Sequence, residues 1–405
     1  MSSVMRRRGI LVEGVWLDDT SSDDRVQELL AAAHSARRRP MCGCGARPEL
    51  YVAKVGDRFV VKRMPGSGGD HEPGCESWSP SESLTGIGRV LDAVRIREDG
   101  LADVRLDFSL SKRPGKGRPP AASTSESKVV RADGAKMTLH GLLCWLWDEA
   151  GMTSWSPGMV GKRSWRVVSW YVRGAATDKQ VRGGSLAARV WLPEPFHADH
   201  KREIAARREE AWRLAREVPA RTTQLMVLVG EVKKIDVGRF GGHLLTVRHA
   251  PDAPIVLDED LHRRMQSRFA DELELWNADP TVRLVVAATF SVGRTGTARA
   301  HELTLITMTE QWLPFASVQD RAVLDAAVAE GRRFAVGQKY GISGAAEVPI
   351  VVLTDTEGDP VPVYVGAAPE DDPIGIPDNG WRWSGDGPLT LPAAHHAAAT
   401  VQQEV

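Results

Sequence analysis

The sequence predicts an α+β protein with three parts: an N-terminal β-hairpin unit stabilised by zinc, a helical middle module, and a C-terminal, mostly antiparallel sheet with helices. Three observations support this prediction. Cysteines and a histidine flank a hairpin pattern near the N-terminus, and apolar residues recur at helical spacing between residues 138 and 173. From residue 222 onward, strand and helix patterns alternate in the order ββ-α-ββ-α-ββ.

The first forty residues predict one strand and one helix. The apolar stretch at residues 10–16 is typical of an edge strand. The run Ser-Ser-Asp-Asp at residues 21–24 supplies polar caps and early acids, and apolar residues at helical spacing follow it. Pro40 ends the helix just before the first cysteine.

The strongest chemical pattern is a Cys/His cluster around a hairpin. Two strand patterns, at residues 50–54 and 58–63, are joined by a Val-Gly-Asp turn. Because a hairpin brings its two ends together, we expect it to gather four side chains: Cys42, Cys44, His71 and Cys75. Three sulfurs and one imidazole are the ligand set of structural, tetrahedral zinc.

Two other interpretations of these cysteines stay open. A disulfide between Cys42 and Cys75 is one, and chance clustering is the other. The chain shows no secretory signal pattern, so we expect a cytoplasmic, reducing environment in which clustered Cys and His are metal ligands. Cys144 lies in the apolar run LLCWLW and is expected to be buried.

Composition favours an ordinary soluble protein with a contrast in charge along the chain. Of 405 residues, 42% are hydrophobic and 26% are charged, and no apolar run is long enough to span a membrane. Residues 1–220 hold 36 Lys and Arg against 28 Asp and Glu, so the remainder holds 16 against 25. A basic half of this kind is typical of a protein that contacts a polyanion, although ordinary surfaces show similar contrasts.

Changes in composition predict five segments. A basic Pro/Gly/Ser-rich linker at residues 111–128 separates the two N-terminal parts. The predicted division is a zinc-binding hairpin domain at 1–110, the linker at 111–128, a helical module at 129–218, an α+β domain at 222–366, and a mobile tail at 367–405.

The helical module carries the candidate nucleic-acid contacts. Helices are predicted at residues 138–150 and 164–173, and residues 190–192 predict a strand. This order is compatible with a winged-helix-like unit whose second helix contacts phosphates through Lys162, Arg163, Arg166 and Arg173. A plain helical unit with a solvated basic face is the alternative.

Catalytic patterns are weak. Glu231 and Lys233 form an E-x-K pair on a predicted strand, the arrangement of metal-dependent nucleases, and a further acid is expected from Asp236, Asp355 or Glu357. E-x-K also occurs by chance, and a non-catalytic domain is favoured. A lesser metal-site hypothesis is the FHADH loop with His197, Asp199 and His200, and no P-loop, Rossmann or nucleophile-elbow motif is found.

Three blocks of this sequence resemble a known bacterial family, domain of unknown function 1173. They are the Cys/His stretch with YVAKVGDRFVVKRMPGSG, then LLCWLWDEAGMTSWSPGMVGKRSW at 142–165, and ITMTEQWLPFAS at 306–317. The resemblance implies the Cys/His cluster and an association with plasmids and other mobile elements. It implies no reaction.

The resulting prediction is a cytoplasmic, zinc-binding protein of a mobile-element type that associates with DNA. Partners are expected to be DNA and other mobile-element proteins, and no membrane. A metal-dependent nuclease that uses Glu231 and Lys233, or a protein-interaction scaffold with an acidic C-terminal half, are the alternatives.

Overall fold

The computed structural model describes residues 9–18, 23–55, 58–64, 66–72, 75, 77–97, 101–113, 136–219, 221–238, 241–338, 347–367 and 377–395. Helices and strands are interspersed along these residues, which confirms the predicted α+β class. Within the described residues, no helix is both long and apolar enough to cross a membrane.

The N-terminal region folds around the predicted hairpin. Its elements are β1 (Ile10–Val12), β2 (Val15–Leu17), α1 (Asp24–Ser35), β3 (Met41–Cys42), β4 (Leu50–Val55) and β5 (Arg58–Arg63), followed by a 3-10 helix at Ser67–Asp70. β1 pairs with β2 and β3, and β4 pairs with β5. Leu30 and Ala33 of α1 share one small core with Val12 and Val52, which joins helix, sheet and hairpin.

The middle region is built on a buried helix. Its elements are α2 (Glu82–Thr85), α3 (Gly88–Leu91), β6 (Val94–Ile96), β7 (Ala102–Val104), β8 (Ser111–Lys112), α4 (Leu139–Glu149), β9 (Ser154–Trp155), α5 (Trp165–Ala175), β10 (Lys179–Val181), β11 (Gly184–Ser185), β12 (Val190–Trp191) and α6 (Lys201–Trp212), with 3-10 helices at Pro157–Met159, Ala198–His200 and Arg213–Ala215. α4 begins where Thr138 accepts a hydrogen bond from the Gly141 N–H. Trp145 and Trp147 are fully enclosed, so α4 is a central core helix.

The C-terminal region continues with strands and helices. Its elements are β13 (Thr223–Gln224), β14 (Met226–Val237), β15 (His243–Val247), β16 (Ile255–Leu257), α7 (Glu259–Arg268), α8 (Ala270–Ala278), β17 (Arg283–Val292), β18 (Ala298–Met308), β19 (Pro314–Phe315), α9 (Val318–Ala329), β20 (Phe334–Val336), β21 (Val351–Leu353), β22 (Val361–Val365) and β23 (Trp381–Trp383). The last four strands form a sheet with β9, in the order β23-β22-β21-β20-β9.

Five strands of this region close into a barrel. β14 pairs with β15, β15 with β16, β16 with β18, and β18 with β17, which returns to β14. All of these pairs are antiparallel except β16 with β18. β14 pairs with β17 through Glu231 and with β15 from Val232 onward, and a β-bulge between Val232 and Lys234 marks the change of partner.

The strand order identifies the type of barrel. Numbered along the chain, the strands close in the order 1-2-3-5-4-1, strands 3 and 5 are parallel, and helices lie between strands 3 and 4. This is the topology of the OB-fold, a five-stranded Greek-key barrel. Met265 of α7 and Phe269 share the barrel core with Leu228, Leu245 and Val286. The predicted, mostly antiparallel C-terminal sheet with helices is confirmed. In addition, the structure shows that the sheet closes into a barrel through the pairing of β14 with β17.

The middle helices pack directly on the barrel. α4 shares a core with outward-facing side chains of the barrel strands, among them Val229 of β14, Val285 of β17 and Ile306 of β18. The indole N–H of Trp147 donates a hydrogen bond to the Trp312 carbonyl at 3.0 Å. β12 pairs in parallel with β14, so the predicted strand at 190–192 extends the sheet that forms the barrel. The division into five domains stays a prediction.

Several element boundaries differ from those predicted. The first helix of the predicted ββ-α-ββ-α-ββ order is two helices, α7 and α8, because the backbone turns at Phe269 and buries its ring in the barrel core. α9 ends at Ala329, since Gly331 has a left-handed φ of 66° that stops the helix before Phe334. Within the predicted linker, Ser111–Lys112 pairs with β13, and residues 114–128 lie outside the described residues.

Candidate metal centre and basic surface

The hairpin brings the four predicted ligand residues together. The Sγ atoms of Cys42 and Cys75 are 3.4 Å apart, and His71 Nδ1 lies 3.5 Å from Cys44 Sγ and 3.6 Å from Cys75 Sγ. The four ligand atoms all lie within 4.8 Å of one another. All four cysteines of the chain are free thiols, so the structure contains no disulfide between Cys42 and Cys75.

Local backbone contacts place each ligand. Cys42 belongs to β3 and pairs with Ile10 of β1, while the Arg47 N–H donates to the Cys44 carbonyl and closes a tight turn. On the other side of the hairpin, the Cys75 N–H donates to the Glu72 carbonyl. The three cysteines are therefore held by backbone contacts on the two sides of the β4–β5 hairpin.

Without metal, the imidazole of His71 is already in the form that binds a metal ion, whereas the Cys42 thiol must first lose its proton. Burial is the main cause that raises the pKa of Cys42 to about 12, while a hydrogen bond from the Cys44 backbone lowers it. The Ser77 N–H donates a hydrogen bond to Cys75 Sγ at 3.4 Å. Burial and the nearby Arg63 lower the pKa of His71, so its imidazole is neutral at pH 7. Neutral imidazole and thiolate are the forms that bind metal.

The geometry fits a four-coordinate metal ion. Bond lengths of tetrahedral zinc place its N and S ligand atoms about 3.6–3.8 Å apart, and the separations of 3.4, 3.5 and 3.6 Å given above are close to that spacing. Four protein ligands fill a tetrahedral site, which is the arrangement of structural metal centres. Among the described residues, this is the one group of three or more Cys, His, Asp or Glu side chains that could hold a metal ion.

A comparison with protein-family models identifies the family of this chain. The family model described as protein of unknown function (DUF1173) matches residues 16–376. The chain belongs to the DUF1173 family. The match includes the Cys/His cluster, the middle helices and the barrel, so these features lie within the family's common region. Neither the curated proteins nor the solved structures contain a match to the chain.

The predicted nucleic-acid contacts of this DUF1173 protein divide into two kinds. Lys162, Arg166 and Arg173 are exposed on α5 or just before it. Arg163 instead points inward, where its guanidinium donates to the carbonyls of Met152 at 2.9 Å and Gln311 at 3.3 Å. Burial lowers the pKa of Arg163 to about 10. Arg163 thus fixes the loop that precedes α5.

Glu231 and Lys233 lie on β14, as predicted, but in different environments. Glu231 is buried, and its Oε1 accepts hydrogen bonds from Arg248 Nε at 2.9 Å and Arg283 Nη1 at 3.1 Å. Lys233 is exposed and lies at the β-bulge, where the regular alternation of side chains is interrupted. Catalysis by Glu231 and Lys233 stays a prediction. In the structure, the negative charge of the Glu231 carboxylate is balanced by Arg248 and Arg283.

Among the described residues, the remaining predicted acids and histidines form no group that could hold a metal ion. Asp355 accepts hydrogen bonds from Arg332, and Asp236 pairs with Lys234. His197, Asp199 and His200 are exposed at the 3-10 helix before α6. Cys144 is buried as predicted, and burial raises the pKa of its thiol.

Two features of the site were missed by sequence reasoning. Trp170 and Tyr171 are 57% and 47% exposed on α5, beside the basic residues. Their position was predictable from helical spacing, because the buried Trp165, Val168 and Val172 define the opposite face. The second feature is a buried charge cluster around Lys179, for which the sequence gives no signal because its members come from distant segments.

Proposed function

We propose that this DUF1173 protein is a DNA-associated binding protein of mobile elements, that it acts in the cytoplasm, and that Cys42, Cys44, His71 and Cys75 hold a structural zinc ion. Three thiols with one imidazole select zinc over harder cations such as magnesium. The ion would hold the hairpin unit in its fold and would leave no coordination position for a reacting molecule.

The observation that carries DNA binding is the basic face of α5. Lys162, Arg166 and Arg173 are exposed, and no Asp or Glu occurs between residues 150 and 178. The acids at either end of that interval, Glu149 and Asp178, have side chains that are 9% and 5% exposed, and both pair with Lys179. The face therefore attracts a polyanion without an opposing carboxylate on its own segment.

DNA affinity is expected to fall with salt in proportion to the phosphate contacts. Replacing Arg166 and Arg173 together with glutamine should weaken binding and reduce the slope of log K against log salt by about 0.7–0.9 for each cation removed. Fluorescence anisotropy with a labelled oligonucleotide between 50 and 200 mM salt would measure both quantities. The control is Arg263→Gln on α7, whose side chain is 76% exposed on another element. An unchanged slope in the double variant would contradict the proposal.

The nuclease alternative has a distinct test at Glu231. We expect Glu231→Gln to lower stability by about 1–3 kcal/mol, because the buried carboxylate loses charged hydrogen bonds to two arginines. Urea denaturation would measure the loss, and Lys233→Gln at the exposed bulge is the matched control. Magnesium-dependent DNA cleavage by the wild type that disappears in Glu231→Gln would instead establish the nuclease.

A further inference from the structure

We propose that the nucleic acid bound by this protein is single-stranded DNA, recognised in part by base stacking on Trp170 and Tyr171. The proposal rests on the DNA-binding function above and specifies the form of DNA. Two observations support it independently: the exposed aromatic side chains of α5 and the topology of the barrel.

The aromatic side chains lie within the basic face. Arg166, Trp170 and Arg173 follow one another at spacings of four and three residues, so they share one side of α5. Trp170 meets the ring of Tyr171 edge to face, with the ring centroids 4.8 Å apart. Two large rings are thus held in a fixed arrangement with much of their surface exposed, and cations lie one helical turn away on either side of Trp170.

This combination matches the chemistry of an unpaired strand. Unpaired bases present open faces that stack on aromatic rings, while arginines contact the phosphates between them. In a duplex the base faces are already stacked on each other, so exposed rings on a helix gain little from it. A basic face for duplex DNA needs cations and hydrogen-bonding groups, and does not require exposed tryptophan.

The barrel points to the same ligand class. OB-folds bind oligonucleotides on the outer face of their second and third strands and on neighbouring loops. In this protein those strands are β15 and β16, and the loop between β17 and β18 is the loop joining the fourth and fifth strands. α4 covers the outer face on the β14, β17 and β18 side, through Val229, Val285 and Ile306.

Two arginines are exposed where the loop between β17 and β18 leads into β18. Arg299 lies opposite Val256 of β16 and is exposed, while its neighbours Ala298 and Ala300 are buried in the barrel core. Arg294 is exposed in the loop between β17 and β18. These two arginines are the phosphate contacts that we assign to the barrel.

The test compares DNA forms on the full-length protein. The probes are a fluorescein-labelled thymidine 20-mer, a 20-base-pair duplex, an abasic 20-mer and a uridine 20-mer, each followed by anisotropy. The wild type is expected to bind the thymidine strand at least about tenfold more tightly than the duplex. Trp170→Ala and Tyr171→Ala should each weaken thymidine-strand binding about tenfold and leave duplex and abasic binding unchanged, because those two probes offer no open base face.

Control variants separate the parts of the proposal. Trp170→Phe should retain most of the affinity, and Val318→Ala, which trims a side chain that is 65% exposed at the start of α9, should change nothing. The double variant Arg294→Gln/Arg299→Gln should weaken binding of the thymidine strand and of the abasic strand alike. Unchanged affinity for both probes would show that the barrel is not part of the binding surface. Unchanged strand affinity in Trp170→Ala, or equal affinity of the wild type for duplex, would overturn the proposal while DNA binding stands. Tighter binding of the uridine strand would overturn the assignment to DNA, and no binding of any probe would overturn the proposed function itself.

Discussion

Replacing Cys42 with serine is expected to release the bound metal and to unfold the N-terminal unit. Among the described residues, the core of this unit is small for a sheet, a helix and a hairpin, with five partly buried apolar residues around five buried ones: Val12, Leu17, Leu30, Ala33 and Val52. In small zinc modules the metal supplies about 10–16 kcal/mol of apparent binding energy, and this energy is also folding energy. Loss of one of four ligands at a closed site should therefore cost most of the unit's stability.

Mass spectrometry for metal and hydrogen exchange would measure this effect together. One zinc ion per wild-type chain is expected, none in Cys42→Ser, and fast exchange across residues 41–78 in the variant, with the barrel still protected. Cys144→Ala is the matched control, because it removes a buried thiol of α4 that lies outside the cluster. A Cys42→Ser protein with normal protection of residues 41–78 would show that the unit folds without metal.

The Cys/His cluster was predictable because its geometry is local. A hairpin of two strands fixes the distance between its ends, so the positions of Cys42, Cys44, His71 and Cys75 followed from the turn between β4 and β5. The same reasoning found α4 and α5, whose apolar residues recur at helical spacing. In each case the pattern and the structure it predicts lie within about thirty residues.

The barrel was not predictable in this way, because its closure depends on distant pairings. The long strands β14, β17 and β18 were found from their apolar runs, but β16 has three residues and gave no usable pattern. Its parallel pairing with β18 joins Ile255 to Ala298, over forty residues away. Without β16 the order of the strands reads as an open antiparallel sheet, and the OB-fold topology is hidden.

A buried charge cluster that connects three parts of the chain was also hidden from sequence. Lys179 is completely buried, and its Nζ lies 2.8 Å from Glu149 Oε2 and 3.3 Å from Asp178 Oδ1. The Tyr51 hydroxyl donates to Asp178 Oδ2, and Lys62 Nζ lies 3.6 Å from Asp178 Oδ1. Burial acts to lower the pKa of Lys179, but the two carboxylates outweigh it and raise that pKa, so the lysine is charged.

Lys179→Met should therefore lower the free energy of unfolding by about 3–5 kcal/mol, because it leaves the largely enclosed Glu149 carboxylate without its cation and the buried Asp178 carboxylate with Lys62 alone. Urea denaturation would measure the loss, and Lys201→Met on the exposed start of α6 is the matched control. Tyr51 and Lys62 belong to the hairpin and Glu149 belongs to α4, so the variant should also loosen the attachment of the N-terminal unit.

A second substitution distinguishes loss of charge balance from loss of packing. In Lys179→Met with Glu149→Leu, the unpaired carboxylate of Glu149 is removed, and Asp178 keeps its contacts with Tyr51 and Lys62. The double variant should then be more stable than Lys179→Met alone, because apolar side chains replace a buried ion pair at little cost. If the two substitutions were instead additive, the uncompensated charge would not be the cause. The cluster would then stabilise the folded protein through the packing of its side chains alone.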